Sequence, residues 1–406
     1  MLTSTESTHL VHGSEASVQR TSVPLADFAF WLGLFGIAWL WNETSVAYSF
    51  YWTAGVALVL GVTATRHGGW DVLRGEGALA GWLFLAYPAG CVASYLLVSH
   101  SDGGKEAQMV QDGKELLLCL LYFALGHVSA RRVGTLAIRL TFAACFLYIL
   151  SKREVFTDAD LFYQVGIERG QSLNYQHVGD AFVIAGVLVI QQFTSARLRI
   201  VLFMLSLVVL AVTPSRSSAV LGAICLFLAT FPGQWRRALL TGVVLALLGW
   251  LAGDSRLLAD LLAGTRLEAL LFPQEDVSFL QRNAALREGL ETIGNHPLVG
   301  LYQFQMDAFD NPGLYIHNIL NTWAQAGIVP FVLLIGFLAS LARHTVRARA
   351  RTGSDTAAIL LLFAIMSWAY SRTTMSPLVF VCAGYALGCL SLAANTAHAD
   401  RSGDDA

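Results

Sequence analysis

Residues 197–231 read RLRIVLFMLSLVVLAVTPSRSSAVLGAICLFLATF. Two apolar runs, 197–212 and 217–231, flank the polar turn Thr213-Pro214-Ser215-Arg216-Ser217-Ser218. Neither run shows the alternation over about ten residues that marks a membrane β-strand. In hydrocarbon every backbone N–H and C=O must be paired within the segment, so apolar runs of this kind are expected to be helices. The pair therefore reads as a helical hairpin through a bilayer, with Arg197 and Arg199 at one side and the Ser-Arg-Ser turn at the other.

The same texture extends in both directions. Further apolar segments lie near 24–41, 47–63, 77–99, 115–130, 133–150, 178–193, 236–252, 313–342, 356–371 and 376–395. With the hairpin they make about twelve, long enough to span or nearly span a bilayer, for which roughly 20 residues are needed; several are short. Of the 406 residues 55% are hydrophobic and 13% charged, against about 25% charged in a soluble domain. The expected fold is all-α: a polytopic integral membrane protein with about 12 transmembrane helices in one domain, residues 24–395. A flexible tail is expected over 1–23, a cytoplasmic tail over 396–406, and a large, partly helical outer loop over 253–312 between spans nine and ten. The first 23 residues lack the basic start and apolar run of a signal peptide. The six cysteines all sit in apolar runs without CxxC spacing, which suggests neither a disulfide framework nor a metal site.

Orientation follows from the basic residues of the short loops. Arg66, Arg74, Arg131, Arg132, Arg197, Arg199, Arg236, Arg237, Arg343, Arg347, Arg349 and Arg351 all fall on one side, and acids predominate on the other. That assigns both termini to the cytoplasm and the 253–312 loop to the outside. Arg139 is left within a span, in need of an internal partner or a cavity.

The polar residues with chemical potential cluster on the outer side. Phe279, Leu286, Leu290 and Ile293 form one helical stripe in the long loop, with Arg282 at its rim and Arg287 elsewhere on the wheel. Arg282 fits either a snorkelling surface side chain or an anion ligand. Arg216 opens an apolar helix against the helix dipole, a cost that a nearby anion would offset. A second outer segment, 151–177, carries Arg169, Asn174 and His177. His317 and Asn318 follow Pro312-Gly313 at the head of the 313–342 run, where a helix N-terminus favours a neutral imidazole suited to act as a base. Asp307 and Asp310 read as solvated loop acids; no metal ligand set is evident. No Walker loop and no Gly-x-Ser-x-Gly elbow occurs, so neither ATP hydrolysis nor serine hydrolase chemistry is suggested.

Three stretches carry a resemblance. Arg282-x3-Leu286 followed by Ile293-Gly294-Asn295-His296-Pro297-Leu298-Val299-Gly300 resembles the periplasmic-loop motif of the O-antigen ligase and polymerase superfamily. His317-Asn318-x-Leu320 with Gln325-Ala326-Gly327 is similar to its His-Asn helix motif, and Ser215-Arg216-Ser217-Ser218 to its Ser-Arg-Ser turn. Gln325 stands where many members have glutamate, so no role for that carboxylate carries over.

The resemblance is greatest to the ligases. It implies an inner-membrane enzyme with its active site facing the periplasm, moving a glycan from undecaprenyl pyrophosphate to a sugar hydroxyl of lipid A-core in lipopolysaccharide assembly. It implies inverting, metal-independent chemistry without a cofactor. His317 would be the general base. Arg216 and Arg282 would bind pyrophosphate, with Arg287, Arg169 and Arg139 as secondary contacts. Asn318, Asn174 and His177 would line the substrate site. The implied partners are the lipid-linked glycan, the lipid A-core acceptor and membrane lipid, with no nucleic acid. An O-antigen polymerase, taking a second lipid-linked glycan as acceptor, and a non-enzymatic lipid or glycan transporter remain the alternatives.

Overall fold

The computed structural model describes residues 23–44, 46–74, 77–98, 103–157, 175–213, 215–233, 277–310, 315–370 and 376–404. The apolar runs that fall among them are helical, except that the run 313–342 is irregular over 315–319 and is divided at Gly327, and the described residues contain no strand. The run 236–252 and the first part of the long loop lie outside the described residues.

In chain order, α1 spans Pro24–Glu43 and carries one π-helical turn, Leu32–Gly36. α2 is Val46–Arg66, α3 Ala78–Val98 and α4 Gly103–Arg132. α5 (Thr135–Ser151) is followed by a short α6 (Arg153–Thr157). α7 (Tyr175–Ile190), α8 (Ala196–Val212) and α9 (Arg216–Thr230) complete the first part. After the undescribed segment come α10 (Val277–Asn295), the short helices α11 (Phe304–Phe309) and α12 (Leu320–Ala326), and then α13 (Ile328–Thr352), α14 (Thr356–Tyr370) and α15 (Pro377–Asp404). Among the described residues, four stretches are long and apolar enough to cross a membrane: Pro24–Glu43, Ala78–Leu97, Asp112–Arg132 and Ile328–Ala350.

Cross-links between helices sort into two rims. At the first, the Val23 amide donates to the Arg132 carbonyl, the Gly134 amide to Asp27 Oδ1 at 2.7 Å, and Arg131 pairs with Asp71 at 3.3 Å. Gln191 Nε2 donates to the Ala229 carbonyl there, and Asp355 accepts from the Gly233 amide and from Arg349. At the second rim, Trp41 Nε1 donates to Thr53 Oγ1, and Glu43 accepts from the Tyr148 hydroxyl while pairing with Lys152 at 2.8 Å. Asp180 and Asp112 are bonded at this second rim too. Successive long helices therefore run from rim to rim in alternating directions. Arg66, Arg74, Arg131, Arg132, Arg197, Arg199, Arg343, Arg347 and Arg349 all belong to the first rim by their positions on these helices.

The core is continuous across the bundle, and its tightest seam joins α4 to α15. A Cβ at Gly126 would stand 2.8 Å from the Tyr385 amide nitrogen, and one at Gly388 would stand 2.6 Å from the His127 carbonyl oxygen. Small residues let the two backbones approach directly, the packing mode of helices that gain little from hydrophobic burial against a neighbour. α4 begins well before the expected 115, and Asp112 in its third turn is bonded at the second rim.

Candidate functional site

The distinctive motifs lie at the second rim as two pieces, each tied together internally. The first is the Ser-Arg-Ser turn that joins α8 to α9. Ser215 caps α9, its Oγ accepting the Ser218 amide at 3.2 Å. The Ser218 hydroxyl donates to Asp180 Oδ1 at 2.7 Å and lies 2.7 Å from Ser215 Oγ. Asp180 is buried on α7, and Gly179 beside it brings that helix against the turn: a Cβ there would lie 2.7 Å from Ser218 Cβ and 3.1 Å from Thr213 Cγ2. A buried carboxylate is costly unless hydrogen-bonded, and the serine hydroxyl supplies that bond. Arg216 is half-buried in the first turn of α9. His177 sits one turn before Asp180's level of α7, half-buried, its ring 4.7 Å from that of Trp41 in an edge-on contact.

The second piece joins the His296–Gly300 turn to the Gln325–Gly327 segment. The Pro297 carbonyl accepts from Trp323 Nε1 at 2.9 Å and from the Ile328 amide at 3.1 Å. The Leu301 amide donates to the Ala324 carbonyl at 2.8 Å. Two glycines make the contact possible. Gly300 has φ 71° and a Cβ there would lie 2.6 Å from the Gly327 amide nitrogen. Gly327 has φ 82° and ψ −175°, a region open essentially to glycine alone. A Cβ at Gly327 would lie 2.6 Å from the Leu298 carbonyl carbon. Gly300 and Gly327 are thus explained by one backbone-to-backbone contact, and the two stretches form a single clamp.

Behind the clamp, Phe304, Ile316 and Ala324 form a small core with Leu286, Leu301, Ile293 and Leu320. α10 docks on it through Ala285, Gly289 and Thr292; a Cβ at Gly289 would collide with Ile316 and stand 3.3 Å from Phe304 Cζ. This corrects the expected stripe: Leu290 is 49% exposed, because the helix packs through small residues that let Ile316 approach. Arg282 lies two turns before Gly289 on the docking face and is exposed; Arg287 is exposed on the opposite face. The segment is tied to the bundle by Asp112, which is buried and accepts from the Tyr302 hydroxyl at 3.0 Å and Gln303 Nε2 at 3.2 Å. Tyr95 packs on Tyr302 with ring centroids 4.2 Å apart. Burial first, and then the adjacent Asp112 charge, hold the Tyr302 hydroxyl well above the usual tyrosine range, so it remains a donor.

His317 does not open a long helix. It lies in an irregular stretch, half-buried, its ring 4.3 Å from that of Tyr315. Asn318 Oδ1 accepts the Leu320 amide at 2.8 Å, starting the seven-residue α12, and the long α13 begins only after Gly327. The dipole of an extended helix is therefore not available to His317. Gln325, where the resembling proteins often have glutamate, is buried and donates to Asn321 Oδ1 at 3.2 Å.

Arg139 belongs elsewhere. It is exposed near the start of α5, where its Nε donates to Gln192 Oε1 at 3.0 Å and its guanidinium lies 4.9 Å from the Phe193 ring centroid. Gln192 adjoins Gln191, which is bonded to the far end of α9, so Arg139 is on the first rim. Arg216 begins the same α9, about 20 Å away along its axis. Arg139 is thus neither at mid-span nor among the second-rim arginines. Arg169 and Asn174 lie outside the described residues. Among those described, no group of three or more His, Cys, Asp and Glu side chains is arranged to hold a metal ion.

Asp112, Tyr302, Gln303 and Asp180 were not among the site residues expected from the sequence, and Ser218 was expected only as part of the Ser-Arg-Ser turn. The available signal was the presence of two aspartates at the ends of apolar helices, where an ionisable group needs a named partner. No protein-family model matches the chain, and no curated protein matches it.

Proposed function

We propose that the chain is a multi-pass membrane glycosyltransferase of O-antigen ligase type, with about twelve spans and its active site facing the periplasm of the bacterial inner membrane. It would move a glycan from undecaprenyl pyrophosphate to a sugar hydroxyl of lipid A-core. The observation that supports this reading is the gathering of the three motif-bearing stretches at the second rim. The Ser-Arg-Ser turn is fixed by Asp180, and the His-Pro-Leu-Val-Gly turn is clamped to the segment that follows His317. The arginine-rich first rim would then face the cytoplasm.

In the proposed reaction His317 takes the proton from the acceptor hydroxyl. The freed oxygen bonds to the anomeric carbon from the face opposite the leaving group. The bond from that carbon to the pyrophosphate oxygen breaks, and undecaprenyl pyrophosphate departs with the electron pair. Arg216 and Arg282 stabilise the developing negative charge; planar guanidinium groups match phosphate oxygens in a bidentate fashion. Among the described residues, Arg282 projects from a helix that packs on the small satellite core and not on the main one, which suits a group that closes on the donor after it enters.

The test is purified protein supplied with an undecaprenyl-pyrophosphate glycan and lipid A-core. Modified lipid A-core is the expected product. His317→Ala should lower its formation by roughly 10²–10⁴, the range for a positioned base. Arg216→Ala and Arg282→Ala should weaken donor use. Full transfer by the His317 variant removes the base assignment. Longer lipid-linked chains would make the chain a polymerase, and the absence of any covalent product would favour a transporter.

A further inference from the structure

Turn tips that face water favour Gly, Asn, Asp and Ser. The clamp turn instead presents Leu298, 73% exposed, and Val299, 43% exposed. Its position explains the choice. Pro297 is bonded to the Ile328 amide, the first residue of α13, so Leu298 and Val299 stand at the head of that helix. α13 exposes Val329, Val332 and Ile335 at helical spacing, and only 33% of its most apolar stretch is buried against the rest of the protein. The turn thus continues the outward apolar face of α13 beyond the helix end. Trp323 stacks on Phe331 at 5.1 Å beside it, an aromatic pair at the level where such rings sit between lipid and water. The flanking Glu291, Asn295 and His296 are exposed and polar.

We propose that the Leu298-Val299 turn inserts into the outer interface of the bilayer, its side chains among the upper acyl chains of the lipids. The clamp carries this contact to the neighbouring segment, so the insertion sets the height of the His317 stretch above the membrane. The inference rests on the membrane-spanning part of the function proposed above and not on its chemistry. An aqueous turn would gain nothing from two adjacent branched apolar side chains, whereas a turn at the lipid boundary gains their burial.

Five of the six native cysteines are buried, so introduced cysteines can be labelled selectively once Cys389 is replaced by alanine. Leu298→Cys, Val332→Cys and Glu291→Cys, each carrying a small fluorophore, are reconstituted in vesicles of phosphatidylethanolamine and phosphatidylglycerol. Quenching by a lipid bearing a nitroxide high on its acyl chain is compared with quenching by aqueous iodide. Labels at 298 and 332 should be quenched by the lipid nitroxide roughly threefold more than the label at 291, and the iodide order should reverse. If 332 responds to lipid and 298 responds to iodide, the insertion is refuted while the spanning helix stands. If 332 itself is open to iodide, the insertion fails together with the membrane reading. If the label at 298 is shielded from both quenchers, the turn is covered by protein and the proposal is overturned; disulfide-linked dimers of the unlabelled Leu298→Cys protein would then identify the cover as a second copy of the chain. Val299→Cys repeats the measurement should Leu298→Cys disturb the turn.

Discussion

Replacing Gly327 by alanine tests whether the clamp is the structural unit that joins the two motif stretches. An alanine Cβ would stand 2.6 Å from the Leu298 carbonyl carbon and 2.7 Å from the Val299 carbonyl carbon, too close for either backbone to remain in place. The backbone itself, φ 82° and ψ −175°, costs an L-residue about 1–3 kcal/mol. Displacing the turn also removes the two hydrogen bonds that Pro297 accepts from Trp323 and Ile328, each worth about 1 kcal/mol net. The clamp should therefore weaken by about 3–5 kcal/mol, which raises its open population roughly 10²–10⁴-fold. Hydrogen exchange in detergent micelles reads this directly at the Leu301 and Ile328 amides, which are bonded across the clamp. Exchange there should accelerate by that factor while peptides from the α4–α15 seam stay unchanged. Gly294→Ala is the matched control. It lies within α10 with nothing inside 4 Å of its Cβ, and alanine there should be neutral or stabilising by about 0.5–1 kcal/mol. Wild-type exchange at Leu301 and Ile328 in the Gly327 variant would show that the contact does not hold the two stretches together.

Other outcomes follow from the same contacts. Ser218→Ala removes the donor to buried Asp180 and should cost about 1–3 kcal/mol, seen as a lower melting temperature in detergent; Ser218→Thr, which keeps the hydroxyl, should cost less. Asp112→Ala leaves the Tyr302 hydroxyl and the Gln303 amide without their acceptor and should speed proteolysis of the 296–310 segment, whereas Tyr302→Phe, losing one bond of about 1 kcal/mol, should have a smaller effect. Because the Tyr302 proton is held more tightly in the folded chain than in the unfolded one, its contribution is intact below about pH 10 and declines as pH rises beyond that; an alkaline melting series should lose that decline in Tyr302→Phe. Arg139→Ala should leave any second-rim glycosyl transfer unchanged, since its contacts are with Gln192 and Phe193 at the opposite rim.

The existence of the helices was legible because apolar runs of this length have one way to satisfy their backbone groups in lipid. The alternation of direction was legible from the arginines of the short loops. The site was legible only as separate stretches. The expected stripe on α10 went astray at Leu290, since large apolar residues carry the helical period in a sequence, while this helix packs through Ala285 and Gly289 against Ile316. Arg139 looked stranded because no local pattern reveals that Gln192 and Phe193 meet it across a neighbouring helix. His317 looked like the head of a long helix because a run of apolar residues does not show where a glycine with positive φ will divide it.

By itself, then, the sequence determined the helical class, the two-sided charge distribution and the list of polar residues available for chemistry, because hydrophobic period and charge are properties of short stretches. Tertiary structure alone decided which of those residues meet. Asp180 reaches Ser218 across 38 positions and Asp112 reaches Tyr302 across 190. Pairs so distant leave no local trace, since the partner of a buried carboxylate is chosen by how the helices pack and not by what stands next to it in the chain.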